Sequence, residues 1–176
     1  MNDYRGVNDK DEVFRKESFE VNTLEDEIRI DSLCQRLLRL FYLALVEEGR
    51  STGEAGSLTW GADYFLREFI IPDRRENIFA LRPGRVRQFA GNWYIVKNLE
   101  PNMEELGNIL HGVEAFYEYG RKIGKVTEEV VEDVRRDCAD LDYYRLRIDA
   151  FWQIEGGGYS AWEQECSLKN QNKGKR

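Results

Sequence analysis

Apolar residues recur at helical spacing through most of the middle of the chain. The first such stretch follows Thr23, a residue type that suits a helix N-cap, and its opening turn is acidic from residue 25 to residue 27. Gly49 is placed to end this helix. At about 100° per residue its apolar side chains cover most of the circumference, which predicts a helix that is central in a bundle or shared with a partner protein.

Two further helices are predicted between residues 60 and 97. The first spans Trp60 to Ile71 and is expected to end at Pro72, which lacks the N–H donor needed to continue. The second begins near residue 82 and has apolar residues at helical spacing from Val86 onward. Within it, residues 93–96 are equally compatible with a short buried strand, because the segment is short and contains β-branched residues.

A fourth helix is predicted from Pro101 to Gly120, and a fifth from its N-cap Thr127 to about residue 155. The short link between them favours an antiparallel hairpin. The pattern as a whole predicts an all-α fold with about five helices in an up-and-down or irregular bundle.

The two ends of the chain differ from this helical centre. Residues 1–22 are expected to form a charged N-terminal arm, residues 23–155 the helical domain, and residues 156–176 a basic tail with a glycine hinge. Three consecutive glycines begin the tail, and each costs about 1 kcal/mol of helical preference. Trp162 is large enough to dock again on the bundle, and the segment from Lys169 onward is expected to be disordered.

Composition limits the class of protein. The 176 residues are 41% hydrophobic and 34% charged with a net charge of -7, which fits one acidic globular domain. No run of about 18 apolar residues could span a membrane, and the first residues lack a secretory signal, so we expect a cytoplasmic protein. The three cysteines show no paired spacing, and Cys34 and Cys138 are expected in the core. The chain has neither a P-loop nor a dinucleotide-binding glycine motif, and no cofactor is predicted.

Basic residues concentrate between residues 72 and 97, where six of them face only two acidic residues. We call the five arginines of this region the arginine cluster: Arg74, Arg75, Arg82, Arg85 and Arg87. Guanidinium groups beside a helix start favour anions, so the cluster predicts binding of a phosphate, a nucleotide or RNA. The alternative is that these arginines neutralise acidic faces of neighbouring helices, since the protein as a whole would repel polyanions.

An acidic motif opens the fifth predicted helix, with Glu128, Glu129 and Glu132 followed by Asp133. The motif resembles the first half of the EExxE motif of all-α nucleotide pyrophosphatases of the MazG and dUTPase type. That resemblance implies that these carboxylates bind magnesium for phosphate-ester hydrolysis, together with acidic residues from another helix. The alternative is that they only complement the helix dipole.

The function that the sequence favours most is a non-catalytic helical interaction module, such as an assembly factor, chaperone or regulatory subunit, because apolar helix faces are abundant and catalytic residue types are sparse. The interface candidates are Leu38, Phe41 and Leu45 on the first helix and Trp162 in the tail. We expect a protein partner or a homo-oligomer rather than a membrane. The alternative is that these side chains fill the core of a monomer. If Trp162 docks near the arginine cluster, the tail is expected to cover that surface.

Overall fold

The computed structural model describes residues 12–164. Of these residues 75% are helical and none lies in a strand, which confirms the all-α class. Residues 12–164 contain seven helices rather than the five that were predicted. They are α1 (Leu24–Glu47), α2 (Thr52–Asp63, continued by a π-helical segment Tyr64–Arg74), α3 (Arg85–Gln88, a π-helical segment Phe89–Trp93, then Tyr94–Lys97), α4 (Met103–Lys122), α5 (Glu128–Cys138), α6 (Leu141–Trp152) and α7 (Tyr159–Gln164).

The start of α1 is fixed by hydrogen bonds within a single turn. The Thr23 hydroxyl accepts a hydrogen bond from the backbone N–H of Asp26 at 3.1 Å, and the Asp26 carboxylate accepts one from the backbone N–H of Thr23 at 3.0 Å. These two bonds form a capping box. Beyond the other end, Gly49 has a φ of 95°, a left-handed conformation that glycine adopts without strain. The predicted limits of this helix are therefore confirmed.

The second helix begins at Thr52 rather than at Trp60, and it does not end at Pro72. It continues to Arg74 as an 11-residue π-helix with Pro72 inside it. A π turn is wider than an α turn because its hydrogen bonds join residues five apart, and this relieves the clash of the proline ring with the preceding turn. The helix stops at Arg75, whose φ is 53°. Residues 93–96, whose sequence is compatible with either a helix or a short strand, are helical.

The fifth predicted helix is two helices, α5 and α6. The Tyr144 hydroxyl donates a hydrogen bond of 2.6 Å to the backbone carbonyl of Asp137, the carbonyl that a continuous helix would pair with the backbone N–H of Leu141. Asp140 has a ψ of 48°, outside the helical range. The break turns the apolar face, and Leu141 and Trp152 of α6 are exposed.

Both ends of the described chain pack on the bundle. Val13 and Phe19 are buried, and the Phe19 ring meets that of Phe79 edge to face at 5.0 Å between centroids. The core therefore extends below the predicted boundary at residue 22. Trp162 is 5% exposed and its indole N–H donates to the Arg147 carbonyl at 2.9 Å, which confirms the predicted docking. The predicted disordered segment from Lys169 onward lies outside the described residues.

Helices α2 and α4 pack backbone to backbone. A Cβ atom at Gly112 would lie 2.3 Å from the carbonyl oxygen of Leu58, and one at Gly61 would lie 2.8 Å from that of Ile109. Only glycine permits this approach without a shift of a helix. The crossing fixes the position of Trp60, next to Gly61 in the chain, relative to α4.

Candidate functional site

The predicted interface residues lie in the core instead. Leu38, Phe41 and Leu45 are buried, and the Phe41 ring packs edge to face against Phe116 at 5.5 Å. Trp162 is also buried, against α6. Other parts of the same chain cover these four side chains, so the surface that the sequence offered to a partner lies inside the bundle.

Two arginines of the arginine cluster share one buried carboxylate. The Arg85 guanidinium lies 2.5 Å from Glu76 Oε1, and the Arg85 and Glu76 side chains are both only 8% exposed. Arg85 also donates to the side-chain oxygen of Gln88 at 2.5 Å. Arg82 lies 3.3 Å from the same Glu76 oxygen. Arg85 therefore joins the loop before α3 to the first turn of that helix, which is a structural role.

The other three arginines of the cluster have local partners as well: Asp73 for Arg74, the Asn22 carbonyl for Arg75, and Asp140 for Arg87. Arg87 also lies over the Tyr143 ring, 3.6 Å from its centroid. Since four of the five arginines pair with a carboxylate, the arrangement supports neutralisation of acidic neighbours and argues against a common anion site.

The acidic motif of α5 faces solvent. Glu128, Glu129 and Glu132 are all exposed, and Glu128 lies 3.6 Å from Arg121. Within residues 12–164, no group of three or more His, Cys, Asp or Glu side chains is placed to hold a metal ion. The magnesium site that the pyrophosphatase resemblance implies is therefore not formed by the described residues.

A different surface presents apolar side chains to solvent. Leu99 lies in the link between α3 and α4 and is 96% exposed. Trp60 of α2 is 44% exposed. Trp152 of α6 is 56% exposed and donates its indole N–H to the carbonyl of Pro101, in the same link as Leu99, at 3.3 Å. The link thus carries an exposed leucine and is hydrogen-bonded to an exposed tryptophan.

Hydrogen bonds hold both ends of the Leu99 link. The Asn98 side-chain amide donates to the Tyr94 carbonyl at 2.7 Å and to the Tyr64 hydroxyl at 3.1 Å. At the other end, the backbone N–H of Asn102 donates to the Tyr94 hydroxyl at 3.3 Å. The Tyr94 hydroxyl in turn donates to the Glu105 carboxylate at 2.7 Å. Leu99 is therefore carried by a short link with defined geometry.

The two tyrosines that hold the link stay protonated at neutral pH. Burial raises the pKa of the Tyr64 phenol above its ordinary value. Burial and the hydrogen bond donated to Glu105 both raise the pKa of the Tyr94 phenol. Neutral phenols remain hydrogen-bond donors, so the link keeps its anchors through the physiological pH range.

Trp60 and Leu99 line the same groove, which has a volume of about 670 Å³. We call this surface the Leu99 face and define it by the residues that line the groove: Trp60, Asn98, Leu99, Glu100, Asn102, Glu104, Glu105 and Asn108. Apolar side chains beside amide and carboxylate groups are the mixture found at protein interfaces and ligand pockets.

A second groove of about 440 Å³ is lined by Tyr64, whose hydroxyl accepts a hydrogen bond from Asn98 of the Leu99 face. The Tyr64 ring lies 5.9 Å from that of Trp60 and 6.1 Å from that of Trp93. Tyr64 begins the π-helical segment of α2 and Trp93 ends that of α3. Such segments are uncommon and frequently occur at functional sites. The ring contacts of Tyr64 therefore connect Trp60 of the Leu99 face to the π-helical segments of α2 and α3.

Sequence reasoning missed this surface because it looked for dense apolar patterns. The sequence feature that could have revealed it is an isolated leucine. Residues 98–102 otherwise consist of asparagine, glutamate and proline. A helical core does not require an apolar residue at that position. Its presence there is the sequence feature that marks the Leu99 face.

None of the helices within residues 12–164 combines the length and apolar character required to cross a membrane. Comparison of the chain with protein-family models, with curated proteins and with solved structures gave no match.

Proposed function

We propose that the protein is a non-catalytic helical interaction module that binds a protein partner through the Leu99 face. The observation that carries this proposal is Leu99 itself, an almost fully exposed leucine on a link with hydrogen bonds at both ends. Burying a leucine side chain contributes about 1.5–3 kcal/mol. A folded monomer gains nothing from this residue, whereas a complex would.

The fixed geometry of the link adds to this argument. A flexible loop loses conformational freedom when it binds, at about 0.5–1.5 kcal/mol for each ordered side chain. The anchors at Asn98 and Asn102 reduce that cost, since the backbone is already held. Trp60 supplies an adjoining aromatic surface, and tryptophan is one of the residue types enriched among side chains that dominate binding energy.

Site-specific photo-crosslinking tests the proposal. A photoreactive amino acid replaces Leu99 in one protein and Leu146, another exposed leucine on α6, in a control protein. We expect a discrete cross-linked partner from position 99 that is absent from position 146. The same partner should be lost when Trp60→Ala is added.

Two results would contradict the proposal. One is the same set of cross-linked proteins from positions 99 and 146, which would indicate random collision. The other is a partner at position 99 whose capture is unchanged by Trp60→Ala. A product with twice the mass of the chain, together with a dimer in light scattering, would identify the partner as a second copy.

A further inference from the structure

Building on the proposed function, we infer that the segment docking on the Leu99 face is a basic amphipathic helix of another protein. The inference combines two features of the same groove, its apolar anchors and the sign of its charge. Helices of this kind bind by placing apolar side chains in a groove while their charged face meets the rim.

The charged side chains that line the groove are all acidic. Of its eight described lining residues, three are glutamates and none is lysine or arginine. Glu100 and Glu104 are exposed, whereas Glu105 accepts the hydrogen bond from Tyr94. Two carboxylates at the rim are therefore presented to a partner, in a chain whose net charge is already -7. Lysine or arginine side chains complement such a rim, and opposite charge raises the rate and selectivity of association.

The apolar part of the groove also fits this partner. Leu99 offers an aliphatic surface for leucine-like anchors, and the exposed indole of Trp60 offers a ring face for a cation. A lysine or arginine stacked on an indole gains about 0.5–1 kcal/mol at an exposed site. Its aliphatic stem covers apolar surface at the same time.

The same charges disfavour two other occupants. A second copy that docked through the same patch would bring the Glu100 and Glu104 carboxylates of both subunits together, which is repulsive. A cellular membrane surface is anionic, and the acidic rim would be repelled by it. A basic helix from another protein meets neither penalty.

Fluorescence anisotropy with defined peptides tests the inference on the full chain. The probe is a labelled 18-residue amphipathic peptide of leucine and lysine, and the control peptide has glutamate in place of each lysine. We expect the lysine peptide to bind and the glutamate peptide not to bind. Leu99→Asp should abolish binding, and raising the salt from 50 to 200 mM should weaken it.

A matched pair of charge reversals separates the groove from the overall charge. The double variant E100K/E104K should bind the lysine peptide about tenfold more weakly, because two favourable rim contacts become repulsive. The control E129K/E132K makes the same change in net charge on the exposed face of α5. Its affinity for the lysine peptide should stay within about twofold of that of the unmodified chain. Equal losses in the two double variants would overturn the inference, since the peptide would then respond only to net charge.

Three further outcomes distinguish a failure of this inference from a failure of the proposed function. If cross-linking at position 99 captures a partner but both peptides bind equally, the basic character of the partner is wrong and the proposed function stands. If Leu99→Asp changes neither peptide binding nor the retention of partners by the purified protein, both are wrong. If binding appears only after K169Q/K173Q/K175Q, the occupant is the basic C-terminal segment of this chain, and the inference of a separate partner is overturned.

Discussion

Helix α1 and the Leu99 face illustrate opposite relations between sequence and exposure. The α1 sequence is dense in apolar residues, yet Leu38, Phe41 and Leu45 are buried by other helices. The link that carries Leu99 is otherwise polar except for Pro101, yet its one leucine is 96% exposed. The contrast teaches that availability for a partner depends on whether the remaining chain covers a side chain, not on the local number of apolar residues.

The largest expected effect is on the free energy of unfolding. It tests whether Phe41 supports the fold and Leu99 does not. Phe41→Ala should lower the free energy of unfolding by about 3–5 kcal/mol, because it removes a fully buried ring and leaves a cavity. Leu99→Ala should change it by less than about 0.5 kcal/mol. Urea unfolding followed by circular dichroism measures both. A loss of more than 2 kcal/mol for Leu99→Ala would mean that Leu99 supports the fold.

The next effect concerns the crossing that positions the Leu99 face. Gly112→Ala should destabilise the protein by about 1–3 kcal/mol, because the new Cβ would meet the Leu58 carbonyl at 2.3 Å. Gly107→Ala is the matched control on the same helix, where a Cβ meets nothing within 4 Å. It should stabilise by about 0.5–1 kcal/mol through helix propensity. Thermal melting of the two variants should therefore move in opposite directions, and a shared direction would contradict the close crossing.

A smaller effect tests whether the Tyr94 hydroxyl holds the Leu99 link in place. Tyr94→Phe should cost about 1 kcal/mol and accelerate hydrogen exchange of the Asn102 backbone amide, because the hydroxyl that bonds to Asn102 and Glu105 is removed. Tyr144→Phe removes a comparable hydrogen bond at the α5–α6 break. It should lower stability similarly and leave exchange in the link unchanged. Unaltered exchange in Tyr94→Phe would show that the link is ordered by something else.

The smallest effect is at the start of α1 and depends on pH. Hydrogen bonds from the backbone N–H groups of Thr23 and Asn22 lower the pKa of Asp26 below its ordinary value of 3.8. Because the folded pKa is the lower one, this stabilisation is complete above the unfolded pKa and is lost as the pH falls through the folded pKa. Asp26→Asn should therefore be less stable than the unmodified chain at pH 7, with a smaller difference at pH 3. Urea unfolding at the two pH values measures this, and a difference that grows in acid would contradict the capping box.

Much of the helical pattern was predictable because its causes are local. Thr23 and Thr127 each accept a hydrogen bond from a backbone N–H three residues later, and such caps can be recognised from a few neighbouring residues. The continuation of α2 through Pro72 was not predictable in this way. The break between α5 and α6 was also missed, since it depends on the Tyr144 hydroxyl reaching the Asp137 carbonyl.

The sequence by itself determined the helical class, the N-caps of α1 and α5 and the burial of Cys34 and Cys138, because these follow from backbone preferences and apolar content within a few turns. Only the tertiary structure decided which apolar side chains remained exposed. Leu99 is exposed on a link whose start is fastened by hydrogen bonds from Asn98 to Tyr64, which lies 35 residues before Leu99 in the chain, and to Tyr94. Phe41 is buried because α4 packs on α1 through Phe116. Such contacts join residues far apart in the chain, and their presence depends on the packing of the whole bundle.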